Sequence, residues 1–378
     1  MTAREGVAPV TAVAARGVRA TGVDVAAATD VDAATDVDAV TDPRWERLVT
    51  GRPTSLFHSP RWLGVLADTY GLPVRARLLT DTAGTPCAGL VYAALDDFMD
   101  ARIACPPFSD FCDPLAADPA QWRALIDPLL AHRCRIDLRC LHNDLPAHDD
   151  RFTVVDRALW HAVEVTPDEQ DAWQRLPSAA RRALRRADGS GVVVAPARSE
   201  ADMRAFYDLH LRVRKHKYGL LAQPYAFFAS IWRRWLAPGH GVLLLARVGE
   251  RVVGGVVFLE WQDTLYYKFN ASERTDLGAR PNDRVLWEGL RHARGRGLAR
   301  VDLGLTDADQ EGLVRYKRKY ATDERTITLL RHLPPGSPSA GDRHARRMLG
   351  ELTRLLTDAT VPDATAERAG ALLYRYFA

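Results

Sequence analysis

Residues 280–307, RPNDRVLWEGLRHARGRGLARVDLGLTD, read as a helix followed by a strand. Pro281 suits a first helical position, the pattern holds to Arg294, and Gly295 and Gly297 end it. Ala299 to Leu303 then returns as a strand. Arg280-Pro281-Asn282 opens this helix with free N–H groups and a positive dipole end, which suits a phosphate or carboxylate. Plain capping by Asn282 is the alternative.

Working outward, the flanking segments have the same alternating character. Upstream, Val242 to Val248 and Val252 to Trp261 are β-rich runs around the two-residue turn Gly249-Glu250, and Asp263 to Ala271 continues as a third strand. Ahead of these lie an Arg-rich helix over Ser178 to Ala187, a strand over Val192 to Ala195, a Ser199-capped helix to Lys217 and a helix over Pro224 to Leu236. Downstream, Gly312 to Tyr320 is a short helix and Thr326 to Leu330 a closing strand. This order is α/β.

The first half repeats the style. Ser59-Pro60 starts a helix with Trp62, Leu63, Leu66 and Tyr70 at helical spacing. Val74 to Leu79 and Ala88 to Ala94 read as strands, Cys105 to Pro114 as a loop, Gln121 to His132 as a helix and Ile136 to Leu141 as a strand. Residues 1–42, with the near-repeat TDVDAATDVDAVTD and no aromatic residue, read as a disordered tail, because they hold too little apolar surface to offset ordering entropy. The divisions expected are a tail at 1–42, a first lobe at 43–155, a second at 156–333, and a linker with a C-terminal helical segment at 334–378.

The 378 residues are 47% hydrophobic and 26% charged, which excludes a wholly disordered or collagen-like chain. No apolar run approaches a bilayer span and the N-terminus lacks a basic start before an apolar core, so the cytoplasm is the expected compartment. Five cysteines without a CxxC support neither a zinc site nor a redox motif, and buried reduced thiols are expected. No metal-ligating set is read. The net charge of +3 hides a tail of −4 and a remainder of +7, which mildly favours an anionic partner.

Of the 51 basic residues only five are lysine, and Lys215, Lys217, Lys268, Lys317 and Lys319 all fall within 105 residues. A compact ammonium in place of the default guanidinium points to a specific use, with ordinary surface lysine as the plain alternative. In Tyr266-Tyr267-Lys268-Phe269, strand alternation puts Tyr266 with Lys268 on one face and Tyr267 with Phe269 on the other.

From about 54 to 332 the sequence resembles the Fem-type branch of GNAT-fold acyltransferases, relatives of the aminoacyltransferases that build peptidoglycan cross-bridges from aminoacyl-tRNA. The segments that carry this are FHSPRWLGVL (57–66), PFSDFCDPL (107–115), SAARRALRRADGSGVVV (178–194), FYDLHLRVRKHKYGLLAQPYAFF (206–228), YYKFNAS (266–272), the quoted 280–307 stretch and EGLVRYKRKYA (311–321). ALLYRYFA at the C-terminus is similar to the end of bacterial members. The resemblance implies two tandem GNAT-like lobes and an N-acyltransferase in which the aromatic–lysine pair Tyr316-Lys317 is catalytic, the lysine stabilising the oxyanion formed as an amine attacks an acyl ester. A donor aimed at that oxygen is what the chemistry needs, and no covalent nucleophile is required. Tyr267, Lys268, Ser272, Arg280, Asn282, Asp302, Thr306 and Gln223 are the expected substrate-binding residues.

Two departures bear on the acceptor. Where peptidoglycan-bridge enzymes place a lysine and an arginine on the phosphates of a UDP-muropeptide, this chain has Leu66 and Gln223. Neither pairs with phosphate. In place of a coiled-coil insertion stands the helix of Arg181, Arg182, Arg185 and Arg186, which could contact tRNA or nucleotide phosphates or simply be solvated. SERTDLGARPND also lacks the paired glycines of the usual acyl-CoA phosphate loop. No bound cofactor is expected, with aminoacyl-tRNA or acyl-CoA as co-substrate and a small-molecule or glycan-linked amine as acceptor. The competing expectations are an acyl-CoA-dependent transferase of cell-surface polysaccharide or natural-product assembly, and a non-catalytic tRNA- or anion-binding protein.

Overall fold

A computed structural model describes residues 34–98, 100–336 and 339–377. Along the chain come β1 (Thr35–Asp38), α1 (Pro43–Thr50), α2 (Pro60–Tyr70), β2 (Val74–Thr80), β3 (Pro86–Asp96), β4 (Ala101–Ala104), α3 (Pro119–Leu130), β5 (Arg135–Cys140), β6 (Thr153–Glu164), α4 (Glu169–Arg175) and α5 (Ser178–Gly189). There follow β7 (Val193–Pro196), α6 (Glu200–Arg212), α7 (Tyr225–Ile231), β8 (Gly241–Val248), β9 (Arg251–Trp261), β10 (Thr264–Ser272), α8 (Pro281–Gly295), β11 (Arg300–Asp307), α9 (Glu311–Arg318), β12 (Asp323–His332), α10 (Ser339–Leu356) and α11 (Asp363–Leu373). Local chemistry sets the boundaries. Ser59 accepts from the Trp62 N–H ahead of α2, Pro60 opens the helix, and Gly71 at φ 63° ends it.

The twelve strands join one sheet in the order β1-β2-β3-β4-β5-β12-β6-β11-β10-β9-β8-β7. Each half follows the same plan: an antiparallel run, then a parallel pair bridged by a helix (β4-α3-β5 and β10-α8-β11). The closing strands are exchanged. β6, which ends the first half, pairs with β11, while β12, which ends the second, pairs with β5 and β6. The lobes therefore share a continuous sheet, and the boundary expected at 155/156 falls inside β6.

Two expectations at the termini need correction. Residues 34–42 are not part of a tail: Thr35–Asp38 pairs antiparallel with β2, Val37 and Ala39 are buried, and Asp36 bonds Arg77 and Tyr92. A four-residue strand with little apolar area is held because an existing sheet edge supplies its partners. The rest of the expected tail lies outside the described residues. At the other end, α10 begins at Ser339, inside the stretch 334–342 (PPGSPSAGD) expected as a linker. α11 docks back through Lys215 Nζ on Asp363 (2.8 Å) and Arg204 in a two-pronged pair with Glu367 (2.9 Å each), and Tyr374 packs on Tyr70 and Phe108.

Apolar cores lie on both faces of the sheet, with Trp45, Trp62, Trp160 and Trp235 fully enclosed. Each such side chain contributes about 1.5–3 kcal/mol by leaving water. Cys105, Cys112 and Cys140 are buried thiols, while Cys87 and Cys134 are half-buried. Among the described residues, no helix is long and apolar enough to cross a membrane, and no group of three or more His, Cys, Asp or Glu is placed to hold a metal ion.

Candidate active site

β10 and β11 run side by side only at their starts, where Thr264, Leu265 and Tyr266 face Arg300, Val301 and Asp302. Past that point they diverge. Register shifts follow in β10 between Tyr267 and Phe269 and in β11 between Asp302 and Leu305. Most of the expected site residues stand around the resulting gap.

Lys317, on α9, is buried and donates to the carbonyls of Gly304 and Leu305, both at 2.9 Å. An ammonium has three protons, so one remains available. Burial pulls its pKa down to about 8, against the pull of Asp110 and Asp302. Lys268 projects from the β10 bulge over the rings of Phe57 (4.6 Å) and Trp62 (5.6 Å) and pairs with Asp110 at 2.8 Å. Asp110 comes from the first-lobe loop, and its second oxygen lies 3.5 Å from the Leu305 N–H, so the carboxylate spans the gap. Desolvation opposes ionisation of Asp110, but the Lys268 ammonium outweighs it and the pKa is lowered. Gly304, at φ 72°, leaves room for this carboxylate: a Cβ there would sit 2.8 Å from Asp110 Oδ2.

Asp302 is buried, accepting from Trp160 Nε1 (2.9 Å) and the Gly304 N–H (2.6 Å). Burial raises its pKa to about 6. Thr306 is buried with its hydroxyl unpartnered among the described residues.

The α8 end of the gap holds the remaining group. Tyr316 donates to the Asn282 carbonyl (3.1 Å) and its hydroxyl lies beside that of Tyr267, which receives Asn270 Nδ2 at 2.6 Å. Asn282 is not the cap of α8. Its Oδ1 accepts from Ser272 and Asn270, and the N-cap is Arg280 at φ 60° with no side-chain capping bond. Strand ends and helix start are thus tied side chain to side chain, which local capping rules do not anticipate.

Other expectations are not drawn into the gap. Phe269 does not share Tyr267's face: the bulge inserts an extra residue, and the ring packs with Phe227 and Phe228 on the Lys268 side. Gln223 bonds His210 (2.9 Å). Arg280 is exposed. Arg181 holds the Gln174 and Leu176 carbonyls and Arg186 that of Gly278, leaving Arg182 and Arg185 exposed. Of the five lysines, Lys215 secures α11, Lys217 is exposed, and Lys319 pairs with Asp283. Sequence reasoning missed Asp110, although PFSDFCDPL had been singled out. No periodicity or spacing marks one aspartate of a loop as the group that crosses between lobes.

Two half-sheets of one plan, each with a helix-bridged parallel pair, and a buried lysine where the second pair splays open, define a tandem GNAT fold. Residues 175–318 match the family model described as an acetyltransferase (GNAT) domain. The chain is similar to the solved structure of FemX at 12% identity and TM-score 0.60, over 83% of this chain and 99% of that one. It is also similar to L-PGS from Bacillus licheniformis (11%, TM-score 0.52, 85% and 99%). A tandem GNAT protein from the clavulanic acid biosynthesis pathway gives 11%, TM-score 0.51, 82% and 100%. No curated protein matches the sequence.

Proposed function

We propose that the protein is an N-acyltransferase that moves an aminoacyl group from aminoacyl-tRNA onto the amine of a small or glycan-linked acceptor. The observation that carries this reading is the Lys317 ammonium, enclosed at the β10–β11 gap with two protons on backbone carbonyls and the third uncommitted among the described residues. The acceptor nitrogen attacks the ester carbonyl carbon, and the C=O pair moves onto oxygen. Lys317 stabilises that oxyanion, and the intermediate collapses with loss of the tRNA 3′-oxygen, which takes up the proton the amine gives away. A donor held in place before reaction does not have to reorganise, so its contribution is large in a dry site. Tyr316 and Tyr267 shape the donor side of the gap, and Asp302 and Thr306 orient the acceptor.

An acyl-CoA donor is the second reading. It rests on the first turn of α8, whose N–H groups have no side-chain cap and suit a phosphate. Offering charged tRNA and CoA thioesters separately, with mixed amine acceptors and mass detection of the N-acyl product, separates the two. Transfer from neither donor, with strongly salt-dependent tRNA binding, supports a binding protein instead.

A further inference from the structure

A cavity of about 570 Å3 opens between the lobes at the starts of β10 and β11. From these strands it takes Thr264, Tyr266, Arg300 and Asp302, on the face of the sheet opposite Tyr267, whose hydroxyl lies beside that of Tyr316. The volume is that of a small-molecule site, and loops of both lobes build its walls.

The charged groups on those walls are unequally engaged. Each acid accepts at least one hydrogen bond, Asp113 and Asp263 through Oδ1 alone. Asp113 accepts from the N–H groups of Leu141, His142 and Asn143, Asp302 from Trp160 and Gly304, and Asp263 from the Thr264 hydroxyl. The bases are less engaged. Arg300 makes no side-chain hydrogen bond or ion pair among the described residues, and Arg52 reaches only the Cys87 carbonyl. Arg325 pairs with Asp323 through Nε and donates one Nη to His142, which leaves its other Nη uncommitted. Behind these cations lie enclosed aromatic rings. Arg325 lies over Trp160 at 5.9 Å, and His142 meets both Trp160 and Phe111 edge-on. Uncommitted guanidinium groups beside the exposed apolar Pro53 and Ala117 form a bipartite recognition element.

We propose that this cavity is a second binding site, for a small organic anion (a carboxylate or a phosphate monoester) carrying an apolar group, with the anion held by Arg300 and Arg325. Asp302 lines the cavity and also holds the Gly304 N–H, one peptide from the carbonyls that receive Lys317. The binding claim does not depend on the acyl-transfer reading.

Ligand-observed fluorine NMR on the full chain tests it, with 4-fluorobenzoate, 4-fluorophenyl phosphate and the uncharged 4-fluorobenzamide as probes. At least one anion should bind with a Kd of about 1 mM or below, and whichever is tighter identifies the anion class. The amide should bind at least tenfold more weakly, since a charge-assisted hydrogen bond contributes that much or more. Arg300→Gln or Arg325→Gln should weaken the anion by a similar factor, while Arg157→Gln, on an exposed stretch of β6, should not. Two results overturn the proposal without any variant: neither anion binding, or the amide binding as well as the anions. So does an anion affinity that is unchanged in both cavity variants, or reduced equally by Arg157→Gln.

Discussion

Asp110 of the first lobe and Lys268 of the second meet at 2.8 Å inside the gap where β10 and β11 part, so one ion pair joins the lobes at the candidate active site. Lys268 is nearly enclosed and stacked over aromatic rings, and among the described residues Asp110 is its ion-pair partner. Removing one partner of such a pair strands the other. Asp110→Asn should therefore destabilise the protein by about 3 kcal/mol in urea unfolding, and Asp110→Asn with Lys268→Met should recover most of the loss. Equal stability of the single variant and the parent would show that the pair is solvated.

Gly304 tests the same packing from β11. An alanine there must hold a left-handed backbone and places its Cβ against Asp110 Oδ2. Gly304→Ala should cost at least about 1–2 kcal/mol of stability and lower turnover together with it. Unchanged thermal unfolding would mean that the strand shifts freely and the gap is not fixed.

Asp302 gives a pH signature. Its folded pKa, about 6, lies above the usual 3.8, so between those values the native state binds more protons than the unfolded one. Stability from this group is present below about pH 4 and is lost as pH rises through 6. Asp302→Asn cannot ionise. Its melting temperature should gain on the parent's between pH 4 and 7, and parallel curves would remove Asp302 as a perturbed acid.

Lys317 sets the opposite limb. With a pKa near 8 it loses its charge as the medium becomes more alkaline, so the acyl-transfer rate should decline above pH 8 even as acceptor amines become more nucleophilic. A rate that keeps climbing to pH 10 would mean that the ammonium is not used.

Sequence alone made the α/β order legible, along with the two-lobe plan and most element positions, because caps such as Ser59 and terminators such as Gly71 act locally. It placed Tyr316, Lys317, Lys268, Asn282 and Asp302 in one neighbourhood, largely through the motif resemblance. It did not show the exchange of β6 and β12, because strand order is fixed by non-local pairing between halves that look alike. The bulge that turned Phe269 onto the Lys268 face was hidden for a similar reason: strict alternation assumes an unbroken ladder. β1 was hidden too, since a short Asp-rich strand becomes ordered only against the edge of β2.

The most direct measurement is single-turnover acyl transfer by Lys317→Met against the parent, at saturating donor and acceptor, with thermal unfolding run in parallel. If Lys317 stabilises the oxyanion, the rate falls by about 10²–10³, equivalent to about 2.7–4 kcal/mol of transition-state stabilisation, while the variant still unfolds cooperatively. A folded variant that transfers within a few-fold of the parent's rate contradicts the account.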